Sequence, residues 1–166
     1  MQDLWPEDIA QVSNKAPVTI LKEQASLLGQ RTKNIVTAEV RQLEQSSEYE
    51  IVGEIRSGEL GNRPHYDFNY RFYIVAPALQ DYHFKLFDLS HNVELYPAVF
   101  KLDSEIANEL QVPLYSALTA GIAPTPFSVA SESELLSELR NIFAARKTRR
   151  VIASLLGQST GDVVSV

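Results

Sequence analysis

Five segments of the chain alternate hydrophobic and polar residues with the period of a β-strand. They are residues 34–45, 48–58, 66–76, 82–90 and 94–102. Only Ser46 and Ser47 separate the first two segments, which predicts a tight hairpin, and residues 77–81 join the next two. The last segment contains Pro97, which has no N–H for a strand ladder, so we predict that it lies at a sheet edge.

Apolar residues at helical spacing occur before and after these segments. A single apolar stripe predicts a helix over residues 17–28, with Pro17 in its first turn and Gly29 as its stop. A short helix is predicted after the last strand, where Asp103 or Ser104 is a suitable N-terminal cap.

The C-terminal region predicts a helix in two segments. Ser131 and Glu134 form a capping box at its start. The apolar stripe then shifts, which predicts a second segment over residues 149–156, capped again by Thr148 and ended by Gly157. Across the whole region acids come early and bases late, the arrangement that a helix dipole favours.

These elements predict one α+β domain. An N-terminal helix precedes an antiparallel meander sheet of about five strands, and the two-segment C-terminal helix packs on one face of the sheet. A chain of 166 residues fits a single domain, which we place at residues 15–157, after a loosely ordered leader (1–14) and before a flexible tail (158–166). Three apolar leader side chains are expected to dock on the body: Trp5, Ile9 and Val12.

The apolar segment 112–130, rich in proline and glycine, carries two interpretations. It is either a packed cover over the sheet, containing a short strand at 127–129, or a lid or partner surface. Apolar loops normally pack, which favours the cover.

The aromatic alternation around residue 70 has two interpretations, a stacking platform for nucleic-acid bases or one wall of the core. Its members are Tyr66, Phe68, Tyr70 and Phe72. Closing a hairpin at residues 77–81 pairs Ile74 with Phe84 and Phe72 with Leu86, so the aromatic face continues into apolar neighbours and favours the core wall. The same register gives the opposite, mixed face four pairs: Val75 with His83, Tyr73 with Lys85, Arg71 with Phe87, and Asp67 with His91.

Charge and composition narrow the classes of function. The net charge of −6 and the pI of about 5.1 argue against nucleic-acid binding, which normally requires a basic face. The chain has no cysteine, which excludes disulfides and thiol chemistry. No signal-peptide pattern occurs, and no apolar run approaches the about 20 residues of a spanning helix, so we expect a cytoplasmic protein with no membrane contact.

Acidic residues offer the only candidate for catalysis. The predicted first hairpin places Glu39 opposite Glu54, and this like-charge pair is either neutralised by Arg41 and Arg56 or kept as a cation or acid–base site. A metal-dependent hydrolase or nuclease would use four groups: Glu39, Glu54, Asp67 and Lys85. Glu23 could join them, but the pattern "HFK" lacks the acid that usually precedes such a lysine.

Two further groups of residues are considered as sites, one containing histidines and one containing basic residues. His83, Asp88 and His91 match no zinc-binding motif, and we predict no metal site and no cofactor. The basic cluster "RKTRR", residues 146–150, is either a solvated helix end or a contact for phosphate or an acidic partner.

We therefore expect a small acidic binding or chaperone-like module, dimeric and acting through protein–protein contacts rather than catalysis. Its binding residues are expected on the mixed face: Arg71, Tyr73, His83 and Lys85. Two alternatives stay open, the metal-dependent hydrolase and a small-molecule-binding domain with a pocket between sheet and helix.

Overall fold

A computed structural model describes residues 1–44, 66–110 and 127–161. The helices in this part of the chain are α1 (Pro17–Arg31), α2 (Ser104–Glu109), α3 (Glu132–Ala144) and α4 (Arg146–Gly161). The strands are β1 (Thr37–Gln42), β2 (Phe68–Ala76), β3 (Tyr82–His91), β4 (Ala98–Leu102) and β5 (Phe127–Val129). The strands form one antiparallel sheet in chain order, β1-β2-β3-β4-β5, which confirms the predicted α+β meander.

Two sequence predictions fall outside the described residues. The strand 48–58, with Glu54 and Arg56, is one of them, so the facing of Glu39 and Glu54 stays a prediction. The other is most of the segment 112–130, of which the structure describes the strand β5 at its end. The division into leader, domain and tail also stays a prediction.

Helix α1 does not stop at Gly29 but continues to Arg31, and the chain reverses direction after it, at Lys33 and Asn34. Gly29 is itself helical, and the left-handed residues are Lys33 and Asn34, with φ of 54° and 62°. The Asn34 N–H donates to the Gly29 carbonyl over 2.8 Å, and a Cβ on Gly29 would lie 2.8 Å from Asn34 Oδ1. Gly29 therefore allows the close approach of the Asn34 side chain and is not the helix stop.

The β2–β3 hairpin begins in the predicted register and then departs from it. Ile74 pairs with Phe84 as expected, but Leu86 is an extra residue in β3, a β-bulge that shifts all later pairs by one. Phe72 therefore pairs with Phe87 instead of Leu86, and Arg71 with Asp88 instead of Phe87. By the same shift His91 pairs with Phe68, not with Asp67.

The alternating aromatic residues form a wall of the core, as predicted. Phe72 is 1% exposed, its ring stacks on Phe87 at a centroid distance of 5.1 Å, and Tyr70 is also buried. The helices pack on this face and fill the core with apolar side chains: Ile20 and Leu21 of α1, Ile106 of α2, Leu135, Leu139 and Ile142 of α3, and Leu155 of α4. The predicted core residue Phe84 is only partly buried.

Strand β4 is not an edge strand. Pro97 precedes it, after a cis bond to Tyr96, and so removes no donor from the ladder. The predicted short strand β5 exists and pairs along the outer side of β4, with Phe127 stacked on Phe100 at 5.3 Å.

The C-terminal helices differ from prediction in their boundaries. The break falls at Ala145, whose extended ψ of 146° ends α3, and α4 begins directly afterwards at Arg146. Thr148 lies inside α4, where its hydroxyl donates to the Ile142 carbonyl over 2.6 Å. Helix α4 also continues past Gly157 to Gly161. The bases of residues 146–150 therefore occupy the first turn of a helix, the end that the helix dipole disfavours for cations.

The leader does not dock on the body. Leu4, Trp5, Ile9 and Val12 are between 64% and 86% exposed. Short turn bonds shape this segment, including Ile9 N–H to the Pro6 carbonyl at 3.2 Å.

Because Phe72 is enclosed on all sides, we expect Phe72→Ala to lower the free energy of unfolding by about 3–5 kcal/mol through loss of burial and a residual cavity. Urea denaturation measures this change. Val93, which is exposed, provides the control, since Val93→Ala should stay within about 0.5 kcal/mol of the parent. A Phe72→Ala protein as stable as the Val93→Ala protein would contradict the core assignment.

Candidate functional site

The face of the sheet opposite the core carries charged side chains from four neighbouring strands, and we call it the polar face. Its charged residues in the described strands are Glu39, Arg41, Arg71, Lys85, Asp88 and Lys101, together with His83. With His83 neutral, four cations outnumber two carboxylates among these residues, so the described strands contribute a net charge of +2 to this face, in a chain whose net charge is −6.

Asp88 is the central anion of the polar face. Its side chain is only 10% exposed, and Arg71 binds it through two hydrogen bonds, Nε to Oδ1 at 2.7 Å and Nη2 to Oδ2 at 3.1 Å. Lys85 Nζ contacts the same carboxylate at 2.8 Å, and Lys101 is its register partner in β4. The hydrogen bonds to Asp88 raise the pKa of the Arg71 guanidinium. This bidentate geometry fixes the orientation of Arg71 on the sheet.

The β-bulge creates this contact. In an unbroken register Arg71 would have faced Phe87, whereas the extra residue Leu86 moves Asp88 opposite Arg71. The carbonyl of Leu86 is not left unpaired, because it accepts a hydrogen bond from the Asp103 N–H at 3.1 Å. Asp103 in turn caps α2, so the bulge is held by the helix that follows β4.

A second cluster lies beside the first, where Glu39 meets Arg41 and His83. Arg41 Nη2 donates to Glu39 Oε2 at 3.2 Å, and His83 Nε2 lies 2.9 Å from the same oxygen. The bond from Arg41, and then that from His83, lowers the pKa of Glu39 below its ordinary value of 4.5. The Arg41 guanidinium also covers the Tyr73 ring at 5.1 Å, so this ring is not free to stack on another planar group from that side.

His83 can donate on both sides of its ring. Its Nδ1 is 2.5 Å from the Asp81 carbonyl, which can only accept, and its Nε2 lies between Glu39 Oε2 and Arg41 Nη2, the latter at 3.1 Å. The doubly protonated ring donates to Asp81 and Glu39, whereas the neutral ring donates to Asp81 and accepts from Arg41. The cluster thus offers hydrogen-bonding partners to either form of the imidazole.

The structure brings the predicted binding residues together. Arg71 and Tyr73 on β2 and His83 and Lys85 on β3 all lie on the polar face, with Tyr73 and Lys85 in direct register. Sequence reasoning missed Asp88 as the shared partner of Arg71 and Lys85, because a one-residue bulge leaves no clear signature in an alternating pattern.

Of the groups proposed for a hydrolase, Glu39 and Lys85 lie on either side of Tyr73 on the polar face, Glu54 lies outside the described residues, and Asp67 and Glu23 lie elsewhere. Asp67 lies six residues before Tyr73, about 20 Å along the strand from Lys85. Its carboxylate accepts the Val93 N–H at 3.0 Å and so holds the β3–β4 connection, while Glu23 pairs with Lys15 at 2.9 Å on α1. In residues 1–44, 66–110 and 127–161 no cluster of three or more acidic or histidine side chains could hold a metal ion.

His83, Asp88 and His91 do not form a site, because His91 points to the opposite face. Its ring is buried and stacks on Phe68 at 5.3 Å and on Tyr70 at 5.8 Å, and its Nδ1 donates to the Asn92 carbonyl at 2.6 Å. Its Nε2 makes no hydrogen bond within the described residues. His91 therefore acts as an aromatic member of the core.

Comparison with protein-family models, with curated proteins and with solved structures finds no match to this chain. Within the described part of the chain, no helix is both long enough and apolar enough to span a membrane.

We expect Asp88→Asn to destabilise the fold by about 2–3 kcal/mol, because it leaves two cations around a neutral amide in a nearly buried position. Glu39→Gln is the matched control on the same face. Its carboxylate is 41% exposed, so its loss should change the free energy of unfolding by less than about 1 kcal/mol. Urea denaturation of both variants at neutral pH separates them, and equal effects would show that Asp88 does not organise the face.

The lowered pKa of Glu39 gives a pH prediction. A depressed folded-state pKa means that the carboxylate stabilises the fold above its unfolded pKa, and that this contribution is lost as the pH falls through the folded value. The stability difference between the parent and Glu39→Gln should therefore be present at neutral pH and shrink below about pH 5. A difference that stays constant down to about pH 3 would contradict the assigned contacts.

Proposed function

We propose that this protein is a non-enzymatic, chaperone-like binding module whose polar face binds a carboxylate-rich segment of a partner protein. The observation that carries the proposal is the Arg71–Asp88–Lys85 cluster. It holds a preorganised arginine and a lysine around one carboxylate, on the side of the sheet opposite the helices.

The arrangement of the cations supports an acidic occupant. Lys101, Asp88, Arg71 and Arg41 form one row across four strands, about 14 Å long at the usual strand spacing. Three members of this row are cations, and arginine binds carboxylates with two parallel hydrogen bonds. An acidic segment lying along the row would gain charge complementarity that steers its association and fixes its register.

A protein occupant fits this face better than a nucleic acid. The aromatic side chains that a stacking platform would need, Phe68, Tyr70 and Phe72, are turned into the core, and Arg41 already covers the ring of Tyr73. The cytoplasm is the compartment we propose for this binding.

Titration of the full chain with hexaglutamate, followed by NMR chemical shifts of the β1–β3 amides, tests the proposal. We expect weak, salt-sensitive binding that shifts resonances around Arg71 and Lys85, since exposed charges are screened by salt. In the Lys85→Glu/Lys101→Glu variant, affinity should fall at least about tenfold, because two attractive contacts become repulsive.

The variant Arg140→Glu/Lys33→Glu provides the matched control, with the same change of charge at two exposed residues outside the strands. It should keep most of the affinity. Absence of hexaglutamate binding, or equal loss in both variants, would overturn the proposal. Binding of single-stranded DNA through Arg71 and Lys85, with no binding of hexaglutamate, would assign the face to nucleic acid instead.

A further inference from the structure

A second surface lies away from the polar face, in a groove between the β2–β3 turn and helices α2 and α4. Its volume is about 680 Å³. The apolar residues that line it are Leu79, Tyr82, Phe84, Val151 and Leu155, and the charged ones are Glu105, Lys147 and Arg150. We call this surface the α4 groove.

The groove has an excess of positive charge at one wall. Lys147 and Arg150 share the single carboxylate of Glu105, at 2.7 Å and 3.0 Å, and both lower the pKa of that carboxyl. Lys147 Nζ also lies 5.8 Å from the centre of the Phe84 ring. One carboxylate between two cations leaves the wall able to attract a further anion.

The bases at the start of α4 lie at the end of the helix where its dipole is unfavourable for positive charge. Residues 146–150 contribute four cations to the first turns of α4, where the helix dipole favours anions, and no acid occupies that first turn. Glu109 offsets part of this effect, since its carboxylate accepts the Arg146 N–H at 2.8 Å and 2.9 Å. A bound acidic segment would offset more of it.

The leader of the chain has the complementary chemistry. Residues 2–14 contain three acids, Asp3, Glu7 and Asp8, and no lysine or arginine. The apolar side chains of the leader are exposed to solvent, and burying them in a groove would be favourable. Trp5, Ile9 and Val12 have the i, i+4, i+7 spacing with which an amphipathic helix fills a groove.

The leader cannot reach the groove of its own domain in a compact form. Lys15 is anchored at the far end of the sheet, where its N–H donates to Glu132 at 3.0 Å and its carbonyl accepts from Tyr96 at 3.4 Å. The groove begins at Tyr82, a full strand length away, which is about 30 Å for β3. The ten residues from Lys15 to Trp5 span about 33–36 Å only when fully extended, which would leave no helical face to dock.

We propose that the α4 groove binds the acidic, tryptophan-containing leader of a second copy of this chain, so that two copies exchange their leaders in a dimer. Trp5 and Ile9 enter the apolar floor, while Asp8, which flanks this apolar stripe on a helix, approaches Lys147 and Arg150. Reciprocal exchange closes a two-fold dimer and leaves no leader free. The polar face takes no part, so this dimer and the binding of hexaglutamate can fail independently.

Trp5 is the only tryptophan of the chain, so its fluorescence reports the leader alone. We expect its emission to shift to shorter wavelength as the full chain is concentrated from nanomolar to high micromolar, while sedimentation velocity shows the mass rising from one chain to two. Lys147→Glu/Arg150→Glu should abolish both changes. Arg140→Glu, with a matched change of charge on the exposed side of α3, should leave both in place.

Two further measurements separate docking from a folding defect. Trp5→Ala/Ile9→Ala changes only exposed leader residues and should prevent the dimer while leaving thermal stability at dilute concentration unchanged. A leader variant, Asp3→Lys/Glu7→Lys/Asp8→Lys, should not dimerise alone but should associate when mixed with Lys147→Glu/Arg150→Glu, because the charges are then exchanged.

Trp5 emission that does not change with concentration would overturn the proposal. So would a dimer that persists in Trp5→Ala/Ile9→Ala, or a mixture of the two charge variants that stays monomeric while each is folded.

Discussion

The β-bulge at Leu86 is the constraint on which both faces of the sheet depend. Before it, β2 and β3 pair in a regular register that ends with Tyr73 opposite Lys85. After it, the inward residues of β3 are Phe87, Leu89 and His91, all buried, and the outward residues are Asp88 and Ser90. One extra residue thus keeps an apolar run inside the core and places an acid opposite Arg71. The Asp103 N–H donates to the Leu86 carbonyl, and Asp103 also caps α2. The position of the bulge is therefore linked to the start of that helix.

The acidic chain concentrates its bases in two places. On the polar face Arg71 and Lys85 converge on Asp88, and at the start of α4 Lys147 and Arg150 converge on Glu105. In both places one carboxylate holds two cations in position but neutralises only one positive charge, so each cluster keeps a net positive charge. The same electrostatic principle supports the two proposals, since oriented cations beside apolar or sheet surfaces favour an acidic partner over a neutral one.

The two surfaces differ in the kind of partner that suits them. The polar face presents a row of charged side chains across four strands, which suits weak, salt-sensitive recognition of an acidic segment. The α4 groove combines an apolar floor with a charged wall, so burial of side chains such as Trp5 can add to the attraction of charges. A module with both could dimerise through one and bind a partner through the other.

The sequence by itself determined the α+β class, the antiparallel sheet, the inward direction of Phe68, Tyr70 and Phe72, and the cap at Ser131, because these follow from period, side-chain type and short turns. It also placed Arg71, Tyr73, His83 and Lys85 on one face. Only the tertiary structure decided the partner of Arg71, the true end of α1 and the break at Ala145. The bulge depends on the pairing of β2 with β3, and the close approach at Gly29 depends on the left-handed turn at Lys33 and Asn34. At the helix break, the Ala145 N–H and the Thr148 hydroxyl both donate to the Ile142 carbonyl. The alternating and helical patterns of the sequence do not encode these contacts, so the placement of the bases at the start of α4 and the site around Asp88 emerged only from the fold.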